Sequence, residues 1–334
     1  MAELKDKIEN GLNDVRILIL GAQVLVGSGF RSFFQPEFSR LPFATQVMQL
    51  AGLGLMLMGL GPLMLPAAFH QIVEQGADTA RITKLATVVL SFGLMPFAVG
   101  LFVNFFMVMQ KLTGSTAAWI CGGLIGGLAL LLWYGLGYMK LKRSKLKRPR
   151  MNTAREKDRQ DEQQEGEHAT PLTARIKQVL METRMVLPGT QALLGFQIVI
   201  FLVQDFDRLP RAIQWAHFGS LLAVTISAML LITPAAYHRI AEHGEDSEEF
   251  HNFAGRIMLA AMFFLGLGLA SDFFVVTYKI TQSVSLSLGC GVALLLFFYG
   301  LWFGYSSWMR ARGNRVNGEK QTPKNLSRQE DFHA

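Results

Sequence analysis

Two cysteines, Cys121 and Cys290, are all that 334 residues contain. Each sits in a glycine-rich apolar run with no second thiol near it, which argues against a disulfide framework and against a thiolate zinc site. Charge is scarce as well: 17% of residues are Asp, Glu, Lys or Arg, against 51% hydrophobic, a balance shifted from soluble domains toward lipid-embedded helices. Also missing are a phosphate-cradling glycine loop, a nucleophile set beside a base, and a cluster of metal ligands. An enzyme is therefore not expected, nor a metal, a cofactor or a nucleic-acid partner. Glu3, Lys5, Asp6 and Lys7 precede the first apolar run and no small-residue cleavage site follows one, so no removable signal peptide is read.

What is present is repetition. Residues 4 to about 111 align without a gap to residues 172 to about 279, so that Leu4 answers Leu172 and His70 answers His238. Both copies are dominated by apolar runs of bilayer-crossing length, at 15–34, 42–70, 82–110 and 116–139, then at 188–203, 211–238, 250–278 and 284–309. Pro188 is expected to start or kink the first run of copy two. Ahead of each set, Leu4, Ile8 and Leu12, then Leu172, Ile176 and Leu180, mark one face of an interfacial helix. The expectation is an all-α membrane protein with eight transmembrane helices, built as two parallel-repeat four-helix units: 1–139 and 172–310, joined by a charged linker, 140–171, and followed by a polar tail, 311–334. An even span count puts both termini and the linker on one side. Lys140, Lys142, Arg143, Lys145, Lys147, Arg148 and Arg150 follow the fourth run, and Arg310, Arg312 and Arg315 the eighth, so that side is cytoplasmic by the positive-inside rule.

Three polar motifs occur twice. Arg16, Gly21, Gln23 and Gly27 answer Arg184, Gly189, Gln191 and Gly195, and on a helix Arg16, Gln23 and Gly27 share one face. Gln23 and Gln191 are candidate intramembrane polar groups, expected to face the bundle interior, where an amide either hydrogen-bonds a neighbouring helix or lines a polar path. Glu37-Phe38-Ser39-Arg40-Leu41-Pro42 answers Asp205-Phe206-Asp207-Arg208-Leu209-Pro210, an aromatic-anchored turn in which Arg40 and Arg208 could also meet a ligand.

The third motif is Pro66-Ala67-Ala68-Phe69-His70 with Glu74, Gly76 and Asp78, against Pro234-Ala235-Ala236-Tyr237-His238 with Glu242, Gly244 and Asp246. Histidine and glutamate four apart share a helix face, and histidine changes charge near neutral pH. His70, Glu74, His238 and Glu242 are therefore the candidate proton- or ion-handling residues. The same residues also suit an ordinary helix boundary, with Gly76 and Gly244 just past one helix and Asp78 and Asp246 capping the next. Asp246 and Glu249 even have capping-box spacing, and a metal or haem ligand is a third option for the histidines. Asp272, where copy one has Asn104, is an acid at membrane depth and a functional candidate. His217, opposite Gln49, reads as interfacial. Gly122 with Gly126 and Gly123 with Gly127 suit close helix packing.

The pattern of Arg16, Gly21 and Gln23 followed by Pro66 through His70, present again as Arg184, Gly189 and Gln191 followed by Pro234 through His238, resembles a bacterial family of four-span integral membrane proteins of unknown function. Some members are labelled sodium/proton antiporter. The resemblance implies a helical bundle in a cytoplasmic membrane, and a basic residue after the histidine, which Arg239 matches and Gln71 does not. Two functions are carried forward. One is a proton- or cation-coupled transporter working at the interface of the repeats. The other is a non-catalytic scaffold or sensor whose basic linker and tail meet anionic lipid headgroups or a partner.

Overall fold

The computed structural model describes residues 18–76, 79–113, 115–131, 134, 171–240 and 247–321. Among these, every regular element is a helix. Repeat one supplies α1 (Leu18–Ser32), α2 (Phe43–Ile72), α3 (Ala80–Gly93), α4 (Met95–Thr113) and α5 (Ser115–Leu130). Repeat two supplies α6 (Leu172–Ile200), α7 (Arg211–Ile240), α8 (Glu248–Thr281) and α9 (Val284–Tyr299), which runs through a π-helical stretch, Gly300–Tyr305, into α10 (Ser306–Gln321).

Among the described residues four helices, against the eight expected in the chain, are long and apolar enough to cross a membrane: Phe43–Ile72, Arg211–His238, Glu248–Thr281 and Val284–Gly313. Leu18–Ser32, Met95–Met107 and Thr116–Leu130 are apolar but shorter. The run expected at 82–110 is cut at Leu94, between α3 and α4, because Pro96 has no amide hydrogen to donate and its ring crowds the carbonyl four residues back. Its counterpart in repeat two has Phe264 at that position, and α8 runs unbroken for 34 residues. The interfacial segment and first span expected separately in repeat two are one helix, α6, which passes through Pro188 and carries Arg175, Lys177, Glu182 and Arg184 in its first half.

Local chemistry sets the helix ends. The N-caps are Thr79, Ser247 and Ser283, whose hydroxyls accept from the amides of Ile82, Phe250 and Leu286, so the caps fall one residue after the expected Asp78 and Asp246, which lie outside the described residues. α2 ends at Ile72. Gln75 and Gly76 then turn left-handed, with φ of 51° and 81°, and the Gly76 amide reaches back to the His70 carbonyl at 3.2 Å.

The two repeats do not form separate cores. α2 packs on α3 and α4 of its own repeat and also on α8, α9, the π-helical stretch and α10 of the other. One apolar cluster draws Phe30, Leu57, Leu60 and Met64 from repeat one together with Val186, Met262, Leu265, Phe298 and Trp302 from repeat two. Trp302 is fully buried and its indole nitrogen donates to the Gly61 carbonyl at 2.8 Å, next to Pro62 and Pro66 inside α2. Within each repeat one crossing is kept: a Cβ on Gly100 of α4 would strike Met56 of α2, and one on the equivalent Gly268 of α8 would strike Val224 of α7. Gly122 and Gly126 pack on Phe102 as expected of small residues, whereas Gly123 and Gly127 have nothing within 4 Å.

Candidate functional site

His70 lies in the last turn of α2 and is wholly buried. Its Nδ1 meets Glu182 Oε1 of α6 at 2.5 Å, and the second carboxylate oxygen accepts from the Gln71 side-chain amide, also at 2.5 Å. Glu182 is 1% exposed. The contact therefore joins an imidazole of repeat one to a carboxylate of repeat two, away from bulk solvent. The expected partner, Glu74, is not used: α2 stops at Ile72, so the four-residue helical step from His70 to Glu74 does not exist. Glu74 Oε1 is buried with no hydrogen-bond partner among the described residues.

In repeat two the acid of the expected pair cannot be placed. His238 lies near the end of α7 with its ring 4.7 Å from that of Phe250, and Glu242 lies outside the described residues. At the sequence position equivalent to Glu182, repeat one has Asp14, which also lies outside them. Gln23 is buried at the crossing of α1 and α6, where it occupies the space a side chain on Gly189 would need, and neither end of its amide has a hydrogen-bond partner among the described residues. Gln191 is exposed, contrary to the expectation that both glutamines face inward. The pocket available to Gln23 at Gly189 is not offered back to Gln191, because Gly21 has nothing within 4 Å.

Beside the His70 pair, His251 of α8 is 3% exposed. Its Nδ1 lies 3.3 Å from the Arg175 guanidinium, which also donates to the Gln75 carbonyl and pairs with Glu248 at 2.9 Å. A Cβ on Gly76 would strike His251 Nε2, so this position requires glycine both for its backbone and for its space.

A second buried pair lies at the opposite end of α8. His217 Nδ1 is 3.0 Å from Asp272 Oδ1, and the other oxygen of Asp272 accepts from the Gln197 amide at 2.6 Å. Gln197 also donates to Ser220 Oγ at 2.8 Å, and its carbonyl oxygen on the backbone lies 3.3 Å from His217 Nε2. His217 and Asp272 are 1% and 3% exposed, so His217 is an interior residue rather than the interfacial one expected, and Asp272 is buried beside it. Phe34, Phe201 and Phe206 surround the imidazole. Repeat one fills the equivalent place with neutral groups: Gln49 donates to Asn104 at 3.4 Å. From Gly255, which touches Gln71, to Asp272, a rise of about 1.5 Å per residue separates the two pairs by roughly 25 Å. Met258, Ala261, Met262, Leu265 and Leu269 fill the interval.

The duplicated turn motif is structural at Asp205. This carboxylate accepts from Lys279 at 2.7 Å, Ser39 at 2.9 Å and Arg208 at 3.2 Å, tying the turns of both repeats to the end of α8. Burial alone would raise the Asp205 carboxyl, but the bonds from Lys279 and Ser39 and the charges of Lys279 and Arg208 outweigh it and hold the carboxyl below its ordinary value. Arg40 is exposed and pairs with Glu37 at 3.3 Å.

Among the described residues no three His, Cys, Asp or Glu side chains gather in a way that could hold a metal ion. No curated protein and no solved structure matches the chain. Residues 4–137 and 167–306 each match the profile of a family of unknown function, DUF6328, and together they take in most of the sequence. The chain belongs to that family and carries its unit twice, the copies meeting through the His70–Glu182 contact.

Proposed function

We propose that the protein is a proton-linked, non-enzymatic transporter of a bacterial cytoplasmic membrane. Its termini and linker face the cytoplasm, and protonation at the interface of the two repeats governs how they pack. The observation that carries this reading is the His70–Glu182 pair, buried between the repeats. Stability alone is a poor reason to keep such a pair, since a well-packed apolar replacement of a buried ion pair is often neutral or stabilising. Ionisable side chains inside an apolar bundle are rare and mark proton or ion pathways. In repeat-built transporters the working site lies where the repeats meet, and the halves rock about it.

His217 and Asp272 provide a second proton-binding pair at the far end, so protons have a station near each face. Among the described residues the α8 face between them is apolar, and on this reading passage requires the repeats to move. The basic flanks after residues 139 and 309 support this orientation.

The test is proton flux into proteoliposomes loaded with a pH-sensitive dye. Wild-type protein is expected to carry flux above that of empty vesicles, and His70→Gln and Glu182→Gln to lower it by about a hundredfold or more, the range in which a positioned acid or base acts. Glu74→Gln should leave it unchanged. Wild-type flux equal to that of empty vesicles, or full flux in the His70→Gln, Glu182→Gln double variant, would overturn the proposal in favour of a scaffold or sensor.

A further inference from the structure

At the His70 end of the bundle, where α2, α6, α8 and α10 converge, an open cleft of about 320 Å³ is lined by polar side chains, among them Gln71, Arg175, His251, Asn252, Arg256 and Arg310. No carboxylate is among the lining residues. Of the acids nearby, Glu248 is committed to Arg175 and Glu182 to His70 and Gln71. Arg256 and Arg310 have no acidic partner among the described residues, so two guanidinium charges from different helices face one concavity without compensation. Neutral donors share the same wall: the side-chain amides of Asn252 and Gln71. His251 lines the same wall, its buried Nε2 turned toward Gly76.

We infer that this cleft binds a phosphate group. Like charges held at one cleft repel each other unless an anion lies between them, and a guanidinium offers a planar fork of donors that matches phosphate in bidentate fashion. Two guanidinium groups from different helices can each take a non-bridging oxygen of one phosphate group, and a free phosphate and a diester headgroup both offer such oxygens. The volume is at the lower end for small-ligand sites, room for a phosphate and a short ester stem. That chemistry has two sources, a soluble phosphate and the headgroup of an anionic lipid lying against α10. The inference stands on charge and shape alone and does not depend on proton transport.

The experiment uses the full chain in a neutral detergent and follows its melting temperature while it is titrated in one arm with inorganic phosphate and in another with phosphatidylglycerol in mixed micelles, phosphatidylcholine serving as the zwitterionic reference. Saturable stabilisation by inorganic phosphate identifies the soluble source, and stabilisation by phosphatidylglycerol alone identifies the headgroup. In either case, Arg256→Gln with Arg310→Gln is expected to weaken binding by about tenfold or more. Arg211→Gln, on α7 at the opposite end, should bind as wild type does. Arg256→Lys with Arg310→Lys keeps the charge but loses the fork, and should bind several-fold more weakly; it decides the matter if the glutamine variant fails to fold. No stabilisation of wild type by either probe, or equal affinity in wild type and both double variants, overturns the assignment.

Discussion

Removing one member of a buried pair is more damaging than removing both. Glu182→Ala would leave His70 and Gln71 buried without their acceptor, and breaking a buried pair in this way costs about 3–5 kcal/mol. Thermal unfolding in detergent should show that loss, and most of the stability should return in His70→Leu combined with Glu182→Leu. A fall of equal size in the paired variant would show that the two side chains act separately. Asp205 adds a pH dependence with a definite sign. Its folded-state pKa is depressed, so its contribution is fully present above the unfolded value of about 3.9 and disappears as pH falls through the lower, folded value. Melting temperature measured from pH 7 down to pH 3 should drop at the acid end below about pH 4, and Asp205→Asn should be less stable at neutral pH with a shallower acid limb.

Helix ends, more than helix bodies, decide which side chains meet. The expected pairing of His70 with Glu74 assumed that α2 continued four more residues, and the left-handed turn at Gln75 and Gly76 is what prevents it. Gly76→Ala should therefore destabilise by about 1–2 kcal/mol from the backbone alone, with more from contact with His251, whereas Gly123→Ala, with open space around it, should be neutral or up to about 1 kcal/mol more stable. Chemical denaturation of both variants checks the contrast, and equal effects would refute it. The apolar periods announced α2, α7, α8 and α9 well, because long hydrophobic runs have few other solutions in lipid. They did not announce the break at Leu94, since the run stays apolar through it. Pro96 was the available sign. Glu182 was illegible as the partner of His70, because no local spacing connects residues of different repeats. His217 and Asp272 left a better trace: relative to Gln49 and Asn104, both changed from neutral to ionisable, and two equivalent positions changing together is what a direct contact between them produces.

At the scale of the molecule, the shared core makes the repeats poor candidates for independent folding. Trp302 reaches Gly61 and Glu182 reaches His70, so either half alone would expose apolar surface and buried polar groups together. Cutting the chain between residues 150 and 165 and co-expressing the pieces should yield a complex that purifies through a tag on one half, while each half expressed alone should aggregate in detergent. Two monodisperse, non-associating halves would contradict a common core.

The contact between His70 and Glu182 also says something about ancestry. If a single-copy relative places the same histidine against an acid from another copy of the unit, as His70 meets Glu182 here, it is expected to be a homodimer. A homodimer must carry every change twice, on both sides of its axis. Fusion removed that obligation, and the chain has used the freedom: Gln71 stands against Arg239, Gln49 against His217, Asn104 against Asp272. Two formerly identical faces have become two different ones, an asymmetry that the directional transport proposed above requires.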